Sequence, residues 1–308
     1  MCGMPRVFRP SVINDCCCLQ FLACATEVWR MLKIAYCVSV HKNPEQVSRL
    51  VERIYSLSDY FYIHKNKKIS CYGWESIFSK DLDENVLFIS KYKVAWGAFS
   101  QVEVTLDGMN YCRSFDYDYF IYLSGQCYPI KPLSKIKEEL QKKSIAYMEY
   151  FKLPSKNWEG ENGGLDRINY FHIRSWKRSW IRFPRLKKTL PNNLEPYGGS
   201  GWFCLPKRFV NYVLNYVSNH PEIVRFFKYS GIPDEMFFQT IIMNSPLRFD
   251  VVNDNKRYIR WEGGARGSPA ILRKGDFEEI MHSDKLFARK FDIDIDSSIL
   301  DLIDKDIM

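Results

Sequence analysis

The sequence predicts an α/β domain with a mostly parallel central sheet and helices on both faces. Short apolar runs of strand composition, such as residues 32–40 and 119–123, alternate with helical patterns, in which Val47, Leu50 and Ile54 recur three or four residues apart. Such alternation is typical of parallel sheets covered by helices. The chain has 308 residues, of which 46% are hydrophobic and 26% charged, with a net charge of +8. These values exclude a disordered chain and a small disulfide-stapled domain.

The first half of the chain follows this alternation regularly. Asn43 and Pro44 provide a helix start directly after the first strand. A helix is predicted over residues 97–114 and another over 132–142. Further strands are predicted at residues 60–63, 86–89, 119–123 and 146–151.

The second half is less regular. Residues 155–200 contain few apolar runs and several Gly and Asn residues, which predicts a long excursion over the surface. Residues 275–303 are predicted to be mainly helical and then to end in an acidic segment. Between them we expect a strand at 201–205 and helices at 207–218 and 234–244.

The N-terminal 30 residues read as an extension outside the domain. We expect residues 31–308 to form a single domain, with Met31 as the natural start; the alternative for residues 1–30 is a short membrane-associating tail. The apolar run at residues 16–25 is too short to span a bilayer, because about 20 apolar residues are needed. The ten cysteines include no C-x-x-C pair, which argues against a zinc site, and scattered apolar thiols suggest a reducing, cytoplasmic compartment.

Ligands of parallel α/β sheets bind beyond the carboxyl ends of the strands. The polar residues that follow the predicted strands are therefore candidates for a binding site. They are His41, His64, Gln126 and Glu149.

Common nucleotide and metal motifs are missing from the sequence. There is no G-x-x-x-x-G-K-[ST] loop and no G-x-G-x-x-G after a strand, so P-loop and dinucleotide-binding classes lose support. Asp116-Tyr117-Asp118 precedes its strand, and a turn role explains it better than a metal site. The alternating acids at residues 292–296 fit a half-exposed segment. We therefore expect no bound metal.

Three other stretches carry chemistry that the residues alone leave open. Pro233-Asp234-Glu235 is either a plain helix start or a carboxylate held at a cleft as general base. The Gly- and Arg-containing residues 260–269 are either a surface loop or a phosphate cradle. Residues 167–194 contain eight basic residues, no acidic residue and two tryptophans. That stretch fits an anionic membrane surface or an acidic glycan, and no nucleic-acid motif accompanies it.

Several of these stretches, taken in order, resemble one family. They are similar to the Core-2/I-branching β-1,6-N-acetylglucosaminyltransferase and peptide O-xylosyltransferase family, in a short form of bacterial type. The resemblance covers roughly residues 31–296. It rests on YCVSVHKN (36–43), YFYIHKNK (60–67), VAWGAFS (94–100), DYFIYLSGQCYPIKP (118–132), GSGWFCLPKRFV (199–210), Pro-Asp-Glu (233–235) and the run LFARKFD (286–292).

The resemblance implies a GT-A-like nucleotide-sugar-binding fold and an inverting, metal-independent transfer from a UDP-sugar. It implies Glu235 as the catalytic base. Lys290 and Arg266 would bind the donor diphosphate. Val40, His41 and His64 would lie at the nucleotide, and Glu149, Gln126 and Trp202 at the acceptor.

Two residues depart from the family pattern. Cys127 stands where members usually have Asp after the strand loop, and Asn66 stands in the acidic place of the second-strand motif. These departures bear on the uridine and acceptor contacts.

We therefore expect a glycosyltransferase that adds β-linked N-acetylglucosamine or xylose to a glycan in polysaccharide or glycoconjugate synthesis. The partners implied are a UDP-sugar, a glycan or lipid-linked acceptor, an anionic membrane surface and no nucleic acid. Two alternatives are a non-enzymatic polyanion-binding module and a glycoside hydrolase with Glu235 and Glu149 as paired carboxylates.

Overall fold

The computed structural model describes residues 31–74, 84–156, 158, 162–174, 180–262 and 268–308. Leu32–Met308 forms one compact unit. The strands, in chain order, are β1 (Ile34–Val40), β2 (Tyr60–Lys65), β3 (Val86–Ile89), β4 (Tyr119–Ser124), β5 (Cys127–Pro129), β6 (Ala146–Met148), β7 (Phe151–Lys152), β8 (Tyr170–Arg174), β9 (Trp180–Lys187), β10 (Tyr197–Gly198), β11 (Phe203–Pro206), β12 (Val251–Val252), β13 (Arg257–Ile259) and β14 (Phe287–Arg289).

The α-helices separate most of these strands. They are α1 (Pro44–Ile54), α2 (Ser100–Cys112), α3 (Leu133–Gln141), α4 (Leu165–Asn169), α5 (Lys207–Asn219), α6 (Pro221–Lys228), α7 (Phe237–Met243), α8 (Phe277–His282) and α9 (Ser298–Ile307). Short 3-10 turns occur at Pro191–Asn193, Pro233–Glu235, Pro246–Asp250 and Lys274–Asp276.

Seven strands form the central sheet in the order β12-β6-β11-β4-β1-β2-β3. β1 pairs in parallel with β2 and β4, and β2 continues in parallel to β3. β11 runs antiparallel to both of its neighbours, β4 and β6. The sheet is therefore mostly parallel, as predicted, with one reversed strand, β11, which runs from the carboxyl side of β4 towards its amino end.

Helices cover both faces of this sheet. Along β1, Ile34, Tyr36 and Val38 pack into one core with α1 and α9. The alternate residues Ala35 and Cys37 pack into the other core with α2, α5 and α7. Because successive side chains of a strand point to opposite faces, a strand covered on both sides is apolar throughout, as β1 is. The predicted α/β class with helices on both faces is confirmed.

A smaller sheet brings distant segments to the edge of the central one. Its order is β13-β14-β5, with β14 antiparallel to β5. Because β5 follows β4 after a tight turn, this pairing places the end of β14 beside the carboxyl end of β4. The residues at the end of β14 and just after it therefore lie at the ligand-binding edge predicted for the sheet.

Three sequence expectations for secondary structure are wrong in detail. The predicted strand 146–151 is broken at Glu149 and Tyr150, and β6 and β7 belong to different sheets. The expected surface excursion 155–200 contains α4 and the antiparallel β8–β9 ribbon, whose register shifts at Tyr170 and Phe171 and obscures the alternation. The expected helix within 275–303 is two helices with β14 between them, because a three-residue strand carries too little periodicity to detect.

Other expectations hold where the structure describes the residues. Asp116 and Asp118 bind the Lys33 ammonium and amide at 2.9 and 2.8 Å, which is a strand-entry role. Of the five described cysteines, Cys37, Cys112, Cys127 and Cys204 are buried thiols and Cys71 is exposed. Within the described ranges, no helix is long and apolar enough to cross a membrane. Residues 1–30 lie outside the described residues.

Candidate active site

The first half of the candidate site is an acidic cluster, which we define as Glu149, Asp234 and Glu235. Glu149 follows β6, and Asp234 and Glu235 lie on the 3-10 turn before α7. Gly199 joins them: its amide donates to the Glu235 carbonyl oxygen at 2.9 Å. A Cβ on Gly199 would lie 1.9 Å from the Glu149 carbonyl oxygen, so only glycine permits this approach.

Burial raises the pKa of all three carboxyl groups. For Glu149 burial is opposed by a hydrogen bond from Asn255 at 3.1 Å. For Glu235 burial is opposed by Arg167, while the charge of Glu149 adds to the rise. For Asp234 burial and the neighbouring Glu235 charge raise the pKa to about 8. Raised carboxyl pKa values suit acid–base chemistry near neutral pH.

Arg167 orients the Glu235 carboxylate. Its Nη1 lies 3.1 Å from Glu235 Oε2, and its guanidinium stacks 4.0 Å from the Trp158 ring centroid. Gly164, at φ +89°, would place a Cβ 2.1 Å from the Trp158 ring. The glycine thus lets Trp158 hold Arg167, and Arg167 in turn fixes one oxygen of Glu235.

The second half of the site is a basic cluster, which we define as His41, Arg289 and Lys290. His41 follows β1, and the other two lie at the end of β14. Burial lowers the pKa of each, and for His41 and Lys290 neighbouring positive charges lower it further. Lys290 is half-buried, close enough to lower the pKa of His41. An anion bound here would relieve this like-charge repulsion.

Polar groups just before α1 and in the β4–β5 turn hold the basic cluster in place. Lys42 Nζ lies 2.5 Å from Asp292 Oδ2, and the Asn43 amide donates to Asp292 Oδ1 at 2.9 Å. Gln126 donates to the Phe291 carbonyl oxygen at 3.3 Å and accepts the Phe291 amide with its own carbonyl at 3.0 Å. These bonds fix the chain directly after Lys290.

An aromatic floor joins the two clusters. Trp202 stacks on Tyr122 with 5.2 Å between ring centroids, and the Arg289 guanidinium lies 4.3 Å from the Trp202 ring. Arg289 also lowers the pKa of Glu235 through its charge. Trp202 is half-buried, and its place at the acceptor stays a prediction.

The two departures from the family pattern occupy defined places. The buried Cys127 thiol is hydrogen-bonded with Arg289, so no carboxylate neutralises that guanidinium at this position. Asn66 clamps the loop after β3: its amide donates to the Val94 carbonyl oxygen at 2.9 Å and accepts the Val94 amide at 3.1 Å. A carboxylate cannot make the donating bond, which explains the amide there.

The remaining predicted site residues fall into three groups. Val40 ends β1, with its carbonyl bonded to Asn66. His64 and Gln126 are buried, and His64 Nε2 accepts the Tyr92 amide at 2.9 Å. Both lie behind the surface of the site, and the ligand contacts predicted for them stay predictions. Arg266 lies outside the described residues, as does most of the loop that contains it.

Sequence reasoning missed three residues of the site. In the sequence Arg167 is one charge in a basic stretch, Arg289 stands beside Lys290 without a role of its own, and Asp234 is only part of a tripeptide. The partners that give them importance are far away in sequence; Arg167 and Glu235, for example, are separated by 68 positions. Among the described residues, no group of three or more His, Cys, Asp or Glu side chains is placed to hold a metal ion.

Comparison with known proteins identifies related sequences. The profile of the Core-2/I-branching enzyme family matches residues 34–283. Mouse xylosyltransferase 2 is 27% identical over 309 residues, covering 89% of this chain and 33% of the relative. Human xylosyltransferase 1 is 26% identical over 299 residues, covering 89% and 30%. This chain thus spans about a third of the length of these relatives.

Solved structures give weaker likenesses. Mouse xyloside xylosyltransferase 1 aligns with a TM-score of 0.34 at 12% identity, covering 70% of this chain and 83% of that one. Staphylococcus aureus TarS (residues 1–349) aligns with a TM-score of 0.37 at 9% identity, covering 72% and 57%. The family profile, which matches most of the chain, decides the assignment: this chain belongs to the Core-2/I-branching enzyme family of glycosyltransferases.

Proposed function

We propose that the chain transfers a sugar from a UDP-sugar to a glycan hydroxyl, with inversion and without a metal ion, to form a β linkage. One observation carries the proposal: a partly buried acidic cluster and a basic cluster lie close together, linked by the charge of Arg289 acting on Glu235 and by the Arg289 contact with Trp202. Glycosyl transfer needs both a base for the acceptor hydroxyl and positive charge for the departing UDP.

In the proposed reaction Glu235 takes the proton of the acceptor hydroxyl. The oxygen attacks the anomeric carbon as the bond to UDP breaks on the opposite face, so the configuration inverts. Arg167 holds the Glu235 carboxylate in place. Lys290 and Arg289 stabilise the negative charge that develops on the diphosphate, and Arg266 stays a prediction as a further diphosphate ligand.

The donor sugar and acceptor are narrower proposals. The names of the relatives favour xylose, and N-acetylglucosamine remains the second candidate. Glu149 and the Trp202 ring would bind acceptor hydroxyls and a sugar face. The acceptor class that we propose is a glycan or lipid-linked intermediate of polysaccharide or glycoconjugate synthesis.

A thermal-shift panel tests donor binding. UDP, UDP-xylose, UDP-N-acetylglucosamine, UDP-glucose and UDP-glucuronate are compared in EDTA, because a ligand that binds only the folded state raises the midpoint. We expect stabilisation by UDP and one sugar nucleotide, lost in Lys290→Ala and retained in Lys135→Ala. Lys135 is exposed on α3 and provides a matched control. No shift with any nucleotide, or a shift that requires Mn²⁺, would contradict the proposal.

The β8–β9 ribbon supports a peripheral contact with an anionic membrane. Ile173 and Ile181 are paired on one face and are 46% and 45% exposed. Arg182 and Arg185 are exposed on β9; Arg182 lies on the face opposite Ile181 and pairs with Asp166 at 3.3 Å, so the ribbon carries both apolar and basic groups. Lys188, by contrast, is half-buried and donates to the Ser230 hydroxyl at 2.7 Å, so it anchors the ribbon.

Vesicle sedimentation tests the ribbon. We expect binding to vesicles that contain phosphatidylserine, weaker binding for Arg182→Ser/Arg185→Ser, and no binding to neutral vesicles. Unchanged sedimentation of the double variant at low salt would contradict the contact. Binding of a soluble polyanion instead, with UDP-sugar turnover absent, would favour the polyanion-binding alternative.

A further inference from the structure

The carboxyl group of Asp234 has no structural explanation within the described part of the fold. Its Oδ1 is buried and has no hydrogen-bond partner there. A buried polar atom left unpaired costs about 1–3 kcal/mol, so proteins rarely retain one without a use. Asp234 lies on the turn that also presents Glu235, between Pro233 and the start of α7.

Gly201 lies against Asp234. A Cβ built on Gly201 would be in van der Waals contact with Asp234, with Oδ2 at 3.6 Å and the carbonyl oxygen at 3.5 Å. The following residue is Trp202, whose ring stacks on Tyr122 and Arg289. Asp234 therefore lies next to the segment that bears the aromatic floor and directly precedes the proposed catalytic base.

We propose that Asp234 is a substrate ligand, whose carboxyl group bonds a sugar hydroxyl next to the one that Glu235 activates. This inference rests on the proposed function. A sugar carries several adjacent hydroxyl groups, each of which donates and accepts hydrogen bonds. A neutral carboxyl group also donates and accepts, so it matches a hydroxyl group better than a second carboxylate beside Glu235 would.

The surroundings keep Asp234 neutral at physiological pH. Burial and the Glu235 charge raise its pKa to about 8, against the opposing charge of Arg167. The neutral form leaves Glu235 as the charged base of the pair, since two adjacent carboxylates resist joint ionisation. The charged and titratable groups around the pair are Glu149, Arg167, Tyr122 and Arg289.

The test compares Asp234→Asn with Asp234→Ala. An amide keeps the shape and both hydrogen-bonding roles, so we expect Asp234→Asn to retain kcat/KM within about 3-fold, whereas Asp234→Ala falls about 10- to 100-fold, as loss of a substrate hydrogen bond predicts. The loss should include a rise in the acceptor KM, and a rise confined to the donor KM would overturn the assignment to an acceptor hydroxyl. Asp250→Asn, on the exposed surface, is the control.

The pH profile separates this role from a structural one. Wild-type activity should fall as pH rises above about 8, where Asp234 ionises, and Asp234→Asn should lack that alkaline limb. Equal losses in both variants with the limb unchanged, or full activity in folded Asp234→Ala, would overturn the inference. Absence of transfer in the wild type would instead overturn the proposed function, and with it this inference. Thermal unfolding of each variant shows whether a loss of activity comes from a folding defect.

Discussion

Two charged regions of this chain differ in how their charged side chains are paired. Near the C-terminus, Asp304 accepts hydrogen bonds from Arg49 at 2.8 Å, Arg53 at 2.9 Å and the Tyr128 hydroxyl at 2.8 Å; we call these four residues the tail network. In the candidate site Glu235 is paired with Arg167 from outside the two clusters, and Arg289 is bonded to a thiol.

The pKa shifts follow this difference in pairing. Burial acts to raise the pKa of Asp304, but hydrogen bonds from Arg53, Tyr128 and Arg49 hold it below its ordinary value. In the acidic cluster burial prevails and every carboxyl pKa is raised, while in the basic cluster every pKa is lowered. The tail network completes its own ion pairs, whereas the candidate site leaves charge that a ligand can satisfy.

The largest effect should follow removal of the catalytic charge. Glu235→Gln keeps the side-chain volume but cannot accept the acceptor proton, and general-base catalysis contributes about 10²–10⁴-fold. We therefore expect kcat to fall about 1,000-fold with the far-ultraviolet circular dichroism unchanged. Glu138→Gln, which alters an exposed carboxylate of α3, should leave kcat unchanged. Wild-type turnover in Glu235→Gln would remove this residue from the mechanism.

The basic cluster should give the next largest effect. Lys290→Ala removes a cation at the proposed leaving group, and loss of one such contact costs about 10²–10³-fold in kcat. Isothermal titration should show weaker UDP binding in parallel, because the diphosphate loses an ionic contact. Equal UDP affinity in wild type and variant would place the diphosphate away from this cluster.

The tail network should respond in stability alone. Asp304→Asn leaves Arg49 and Arg53 without their carboxylate, and we expect a loss of about 2 kcal/mol in unfolding free energy, at the low end for a broken buried pair because both arginines are partly exposed. Urea unfolding measures it, and kcat at 25 °C should not change.

The pH dependence of this loss follows from the sign of the Asp304 pKa shift. The folded pKa is depressed, so the stabilisation is complete above the unfolded value of about 4 and disappears as pH falls through the folded pKa. Wild type and Asp304→Asn should therefore converge in stability in acid. A constant difference between them down to pH 2 would contradict the ion-pair explanation.

Sequence reasoning located the parts of the site that depend on local patterns. Glu149 follows a detectable strand, and the apolar periodicity after Glu235 marks the helix that presents it. Lys290 was found through the family run that contains it. In each case the informative residues lie within a few positions of one another, so their pattern is visible in the chain.

The rest depends on contacts between distant segments. Neither the Arg167 bond to Glu235 nor the thiol partner of Arg289 leaves a local pattern. The short strand β14 was missed because its pairing with β5, rather than its own periodicity, makes it a strand. The unpaired Oδ1 of Asp234 is likewise a property of the assembled turn, since Pro-Asp-Glu alone leaves a helix start and a general base both open.

The pH dependence of stability distinguishes Asp234 from Asp304 without any assay of transfer. The folded pKa of Asp234 is raised to about 8, so the native state holds a proton that the unfolded chain releases near pH 4. Wild-type stability should therefore decline as pH rises from about 4 to about 8 at this residue, opposite in sign to the contribution of Asp304.

Asp234→Asn cannot ionise and should escape that decline. We expect its Tm to exceed that of the wild type at pH 8.5 and the difference to vanish near pH 4. Asp250→Asn controls for loss of one negative charge and should show no such crossover. A Tm below that of the wild type at pH 8.5 would mean that Asp234 is charged and paired in the folded protein, which would place it with Asp304.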